Sequence, residues 1–273
     1  MTDATDITRR AKSNLAFALR IMPRERRDDM EVFYAFCRTM DDLADDAKLP
    51  VADRAAILNA WKNGLVSGFL SGGALQQQVL EMRDRCGIPT GLMTAIIDGC
   101  IIDLYPMRFA TWEDLSEYVW KVACAVGLVS IRLFGCKDPG SEAYAVALAR
   151  ALQLTNILRD IREDLDNGAR IYLPLEDLAR FGYTETDLIE CTDDARFLAL
   201  MTFEADRAEG FFCEAAAIQP AADKAALTPA RIMGEIYHHL LDEMRRDGFR
   251  VLKKRYRVST TRKLAILSKH LIA

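Results

Sequence analysis

Apolar residues recur at helical spacing (i, i+3, i+4) from one end of the chain to the other, and no stretch shows the alternation that a half-buried strand requires. Breakers fall between the periodic runs: Pro23, Pro50, Gly72 with Gly73, Gly87 with Pro89, Pro139 with Gly140, Gly168, Pro174, Pro220 and Pro229. The pattern predicts helices over 6–21, 24–47, 51–70, 74–86, 90–103, 112–135, 140–166, 184–189, 193–218, 228–255 and 260–271. No internal repeat or long linker divides them, so the expected fold is all-α, one helical domain over residues 1–273. With 51% hydrophobic residues in 273, the chain can bury a sizeable core.

Several function classes drop out on charge and composition. A net charge of -4 gives no basic footprint for nucleic acid. Seven cysteines, odd in number and without a C-x-x-C pair, read as reduced thiols in a cytoplasmic protein. The N-terminus "MTDATDITRRAK" has no apolar signal core, and the most apolar window, 119–135, carries Lys121 and Arg132 and is short for a membrane span. The expectation is a soluble protein, or one resting on a membrane surface.

The stretch "VFYAFCRTMDDLADD" puts four aspartates within six residues after an apolar run. At 100° per residue, Phe33, Phe36, Cys37, Met40, Leu43 and Ala44 form the core-facing arc. Asp41 and Asp45 flank that arc beside Tyr34 and Arg38, while Asp42 and Asp46 point away to solvent. Two carboxylates at i and i+4 against an apolar wall repel while partly desolvated, and a divalent cation relieves that.

A second helix repeats the device. In "LQLTNILRDIREDLDNGARIYLP", Leu154, Ile157, Leu158, Ile161 and Leu165 form the core face, with Gln153, Asn156, Asp160 and Asp164 on its flank. Thr155, Arg159, Arg162 and Glu163 take the expected solvent side. Oxygen ligands without histidine or thiolate suit Mg²⁺, which keeps waters and shares its shell with substrate phosphates. Two such ladders facing each other suit a diphosphate bridged by cations, with an adjoining apolar cavity for a hydrocarbon tail and a carbocation. Asp41, Asp45, Asn156, Asp160 and Asp164 are the metal candidates, and the four aspartates are the catalytic candidates.

These motifs, with "YAFCR" before the first and "GARIYLP" after the second, resemble those of the squalene and phytoene synthases. The likeness extends through "LRIMPRERR", "IIDGCIIDL", "YVWKVACAVG", "IYHHLLDEM" and "KKRYRVSTTRKL". It implies an isoprenoid synthase helical bundle with a central active-site cavity, two or three Mg²⁺ ions, and head-to-head joining of two prenyl diphosphates. It further implies that Tyr34, Arg38, Gln153, Arg159 and Tyr237 contact diphosphate or line the prenyl site. Two departures stand out. Where the family usually has Ser-Phe near the N-terminus, this chain has Ser13, Asn14 and Leu15, leaving Ser13 and Asn14 as the phosphate-contact candidates. Where squalene synthases often carry an aromatic residue before Val-Ala, it has Lys121, a candidate diphosphate ligand, with Tyr118 nearby.

The expected reaction is condensation of two farnesyl diphosphates to presqualene diphosphate and then squalene or dehydrosqualene, with NADPH as a candidate hydride donor. Phytoene synthesis from geranylgeranyl diphosphate is the alternative, and the water-insoluble product suggests transient contact with the inner membrane face. A monomer and a homodimer both remain open. From another class, a ferritin-like di-iron bundle would use Glu235 and His238 as one Glu-x-x-His, but no second set exists; a non-catalytic helical scaffold is the remaining rival.

Overall fold

A computed structural model describes residues 22–70 and 72–272. Ser13, Asn14 and the expected helix 6–21 lie outside the described residues. The helices are α1 (Arg24–Asp45), α2 (Val51–Ser67), α3 (Ala74–Arg85), α4 (Thr90–Ile102), α5 (Trp112–Val119), α6 (Ala125–Phe134), α7 (Gly140–Asp166), α8 (Leu175–Arg180), α9 (Glu185–Ile189), α10 (Ala195–Ile218), α11 (Thr228–Arg246) and α12 (Thr260–Ile272). Among the described residues the one β-type pairing is an isolated bridge between Arg108 and Ile171, and no helix is long and apolar enough to cross a membrane.

Two hydrophobic clusters build the bundle. One gathers Phe33, Phe36 and Met40 of α1 with Leu58 and Trp61 of α2 and Ile96 and Ile97 of α4. The other surrounds α7, where Leu154, Ile157, Leu158 and Ile161 meet Phe197 and Met201 of α10 and Ile236 and Leu240 of α11. The acid-bearing flanks of α1 and α7 look into the space between these clusters.

Four departures from the expected helices have local causes. The run 112–135 is not uniformly α: Trp120–Cys124 forms a π turn, with Ala125 N–H reaching back to the Trp120 carbonyl, an irregularity often found at functional sites. α8 is an extra short helix, opened by Pro174 and carrying Glu176 and Asp177 in its first turn. The expected helix 228–255 stops at Arg246, because Gly248 (φ 67°) and Phe249 (φ 53°) turn left-handed and Phe249 N–H bonds the Met244 carbonyl at 2.8 Å. Phe249, 1% exposed, is the apolar plug that holds this unusual backbone. Lastly, Thr155 and Arg159 do not face solvent: Thr155 is fully buried and Arg159 lines a cavity. α7 packs against α10, α6 and α11, which buries Thr155 and turns Arg159 to the cavity, while Arg162 and Glu163 stay exposed as expected.

The segment after Phe249 folds back over the bundle. Tyr256 donates to Asp247 at 2.6 Å and accepts from the Arg250 N–H at 3.1 Å. Buried Ile266, with Lys269 (2.9 Å) and His270 (2.9 Å) on Glu235, then docks α12 against α11.

Candidate active site

A cavity of about 810 Å³ opens between the two acid ladders. α1 supplies Arg38, Asp41 and Asp45, and α7 supplies Gln153, Asn156, Arg159, Asp160 and Asp164, each ladder spaced by one helical turn so that its members share a stripe. Tyr237 of α11 completes the expected set. Tyr34 and Lys121 are not brought in: Tyr34 is half-buried one turn before Arg38, and Lys121 packs its Cβ beside Gly99 of α4. The outer acids behave as surface groups, with Asp42 paired to Arg38 at 2.6 Å and Asp46 capping the Lys48 N–H at 3.0 Å.

Electrostatics mark the inner acids. Water reaches Asp41 through the cavity, yet protein walls surround its carboxyl, and that loss of bulk solvent pushes it up to about 6 against the pull of the Cys100 thiol and Arg38. Burial, with Asp160 adding repulsion, pushes Asp164 up to about 8. Among the described residues no side chain bonds the Asp164 carboxylate, and the buried Asn156 Oδ1 has no hydrogen-bond partner. Asp160 is held by Arg159 Nε at 2.8 Å and Arg255 Nε at 3.1 Å, and Asp45 by Arg170 at 2.9 Å.

An orphaned amide oxygen and crowded carboxylates with raised proton affinity form an oxygen-only donor set that fits Mg²⁺. Among the described residues no three acidic, histidine or cysteine side chains converge on one point to hold an ion unaided. That also fits Mg²⁺, which takes one or two carboxylates per ion and completes its shell with water and substrate phosphate.

Several cavity residues carried no signal in the periodicity. Asp103, at the end of α4, accepts from Tyr118 (2.9 Å) and from Tyr172 (2.8 Å). Burial raises its carboxyl above the ordinary range while the two phenols oppose that rise. The phenol rings stack at 5.3 Å, and Phe109 packs on both. The Arg108–Ile171 bridge fixes this arrangement, tying the loop after α4 to the segment that carries Arg170 and Tyr172. From the refolded C-terminal segment come Arg255, Arg257 and Lys263. The stretches "IIDGCIIDL", "GARIYLP" and "KKRYRVSTTRKL" held the available signal for these residues, but only the tertiary fold shows which side chains turn inward.

A second, apolar cavity of about 210 Å³ runs between α6, α7 and α11, walled by Val126, Ile131, Leu152 and Met233 among others. Gln153, Asn156 and Tyr237 line both cavities, so the apolar one opens on the acid-lined one at these three residues. The di-iron alternative fails at Glu235 and His238, which diverge: Glu235 meets Lys269 and His270, whereas His238 meets Glu209 at 2.8 Å.

An all-α bundle with facing acid ladders and an adjoining apolar pocket is the arrangement of the isoprenoid synthases. A family model described as Squalene/phytoene synthase matches residues 8–262. The chain belongs to the squalene/phytoene synthase family. It is 34% identical over 262 residues to a 15-cis-phytoene synthase of Synechocystis sp., covering 90% of this chain and 77% of that one. It is 33% identical over 264 residues to a presqualene diphosphate synthase of Rhodopseudomonas palustris, covering 95% and 93%. Among solved structures, a squalene synthase from Alicyclobacillus acidocaldarius superposes with a TM-score of 0.80 at 27% identity, covering 90% of this chain and 93% of that one. A dehydrosqualene synthase with bound ligand gives 0.81 at 27% identity, covering 98% and 94%.

Proposed function

We propose that this prenyltransferase joins two farnesyl diphosphates head to head, forming presqualene diphosphate and then squalene or dehydrosqualene. The observation that carries the reading is the junction of the two cavities: a small apolar pocket opens on an acid-lined chamber at Gln153, Asn156 and Tyr237. A prenyl tail in the pocket leaves its diphosphate in the chamber.

Asp41, Asp45, Asn156, Asp160 and Asp164 would hold two or three Mg²⁺ ions, which when bound neutralise the diphosphate and stabilise it as a leaving group. The protein's own cations take the remaining phosphate charge. Arg159 and Arg255 stand on the α7 side, Arg170 on the α1 side, and Lys263 enters from α12. The apolar pocket excludes water from the allylic cation, which would otherwise be captured as an alcohol. Tyr118 and Tyr172 turn their phenol hydrogens onto Asp103, leaving oxygen lone pairs and ring faces as the groups they offer to a developing positive charge. Asp103 thereby keeps two tyrosines in one fixed orientation.

The test is product analysis by gas chromatography with farnesyl and geranylgeranyl diphosphate in parallel, each with and without NADPH. Presqualene diphosphate, squalene or dehydrosqualene from the farnesyl substrate supports the reading, and the NADPH arms separate hydride delivery from proton loss. Preferred conversion of geranylgeranyl diphosphate to phytoene overturns it in favour of the activity named for the Synechocystis relative.

A further inference from the structure

We propose that Tyr144 and Leu148 form a septum that sets the length of the prenyl tail accepted, a proposal that rests on the head-to-head reading above. The tail pocket does not end against solid core. Behind it lies a second groove of about 530 Å³ between α10, α11 and α12, and Tyr144 and Leu148 of α7 line both spaces. They are 4% and 6% exposed, so the two side chains stand as a wall between the apolar pocket and the groove.

Helix geometry gives the depth. Asn156, at the mouth, and Tyr144, at the far end, are twelve positions apart on α7, or ~18 Å at 1.5 Å per residue. An isoprene unit adds four main-chain bonds, roughly 5 Å extended at ordinary carbon–carbon bond lengths. Leu148 lies eight positions from Asn156, or ~12 Å, so three units, roughly 15 Å, pack along Leu148 and stop short of Tyr144, and four, roughly 20 Å, run into Tyr144.

Leu148 holds this position because α11 presents bare backbone opposite it. A Cβ placed on Gly234 would lie 3.1 Å from Leu148 Cδ1, so the leucine occupies the room the glycine leaves. Beyond the septum, Phe212, Ala215 and Ala216 offer apolar surface on which a fourth isoprene unit can rest once the wall is removed. The groove is also lined by polar groups, Arg231 and His239 among them, so the wild-type wall keeps the end of the tail away from them.

The experiment compares kcat/KM for geranylgeranyl and farnesyl diphosphate in the wild type, Leu148→Ala, Tyr144→Ala and Gly234→Ala. Binding of the two unreactive thiolodiphosphate analogues with Mg²⁺, by calorimetry, gives a readout independent of turnover. The C20-to-C15 ratio should rise about tenfold or more in Leu148→Ala and Tyr144→Ala. It should fall in Gly234→Ala, whose new methyl pushes Leu148 into the pocket. Simple loss of stability lowers both substrates together and leaves the ratio unmoved; Leu148→Val, a smaller truncation, gives the same direction if Leu148→Ala does not fold. A ratio unchanged within twofold in the folded wall variants, in both turnover and analogue binding, overturns the septum. Absence of turnover by the wild type with both substrates overturns the head-to-head reading instead, while analogue binding still reports on the wall.

Discussion

Arg170→Gln should bind Mg²⁺ more tightly than the wild type and diphosphate less tightly. Without metal, Arg170 is the cation nearest the α1 ladder, 2.9 Å from Asp45, and it also bears electrostatically on Asp103 and Asp164. Any ion that ligates Asp45 must compete with it. Asp45 is 63% exposed, which holds the direct pair to ~1 kcal/mol or less. The Mg²⁺ dissociation constant should therefore fall by up to about fivefold, since 1.4 kcal/mol is a factor of ten. The backbone bond from Arg170 N–H to the Asp164 carbonyl, 3.0 Å, survives the substitution, so the loop should keep its shape. Calorimetric titration of substrate-free protein with MgCl₂ measures the first effect, and titration with inorganic diphosphate at saturating Mg²⁺ measures the second. An Mg²⁺ affinity that is unchanged within twofold, or weaker, would refute the competition.

Asp41→Asn or Asp160→Asn should abolish turnover with an unchanged melting temperature, while Asp42→Asn and Asp46→Asn should cost less than about threefold; equal losses at Asp41 and Asp46 would remove the distinction between inner and outer acids. Arg255→Ala should weaken inorganic diphosphate binding about tenfold or more, the usual worth of a charge-assisted hydrogen bond, with a shallower salt dependence in the same titration. Asp103→Leu leaves two buried phenols without their acceptor and should lower stability by about 1–3 kcal/mol per phenol in urea unfolding, whereas Asp103→Asn should lose less. Glu204, 1% exposed beside Asp177 and Arg207, has its carboxyl raised above the ordinary value of 4.5, chiefly by burial. The folded state then holds a proton that the unfolded state releases near pH 4.5, so stability falls as pH rises from there through neutrality; Glu204→Gln should flatten that slope in melting curves.

The α1 and α7 ladders were legible because both lie inside long uninterrupted helices. There a residue's face follows from its number alone, so grouping Asp41 with Asp45, and Gln153 with Asn156, Asp160 and Asp164, needed only the 100° rule; that the two ladders share one cavity came from the resemblance and the diphosphate chemistry. The same rule failed for Thr155 and Arg159. It divides a helix into one core face and one solvent face, and α7 is packed on more sides than that. Lys121 came from the resemblance and not from helical counting; it lies in the π turn at Trp120–Cys124 and lines neither the acid-lined nor the apolar cavity.

The cations were illegible for a different reason, and it bears on how such a site is assembled. Arg170, Arg255 and Arg257 lie after helix ends, where Gly168 (φ 86°) and Ala169 (φ 53°), then Gly248 and Phe249, take left-handed backbone, and Lys263 follows on α12. Each break turns the chain back over the chamber. Had α11 run on to 255, as its periodicity predicts, Arg255 would extend along that helix's own axis, away from the Asp160 and Glu163 carboxylates it now meets at 3.1 and 2.6 Å. The acid ladders therefore come from regular helices, whereas Arg170, Arg255 and Arg257 come from interruptions and add to the helical cations Arg38 and Arg159, which separates two physical requirements. Carboxylates that share an ion need fixed spacing, and rigid helices supply it. Guanidinium and ammonium groups that pair with carboxylates in the absence of metal and with phosphate in its presence need room to change partners. Short turns anchored by one plug, Phe249, or by one bridge, Arg108 to Ile171, leave them that room. Stiffening the second turn by Gly248→Ala, at a left-handed position that an alanine adopts only with strain, should then impair diphosphate binding more than Mg²⁺ binding.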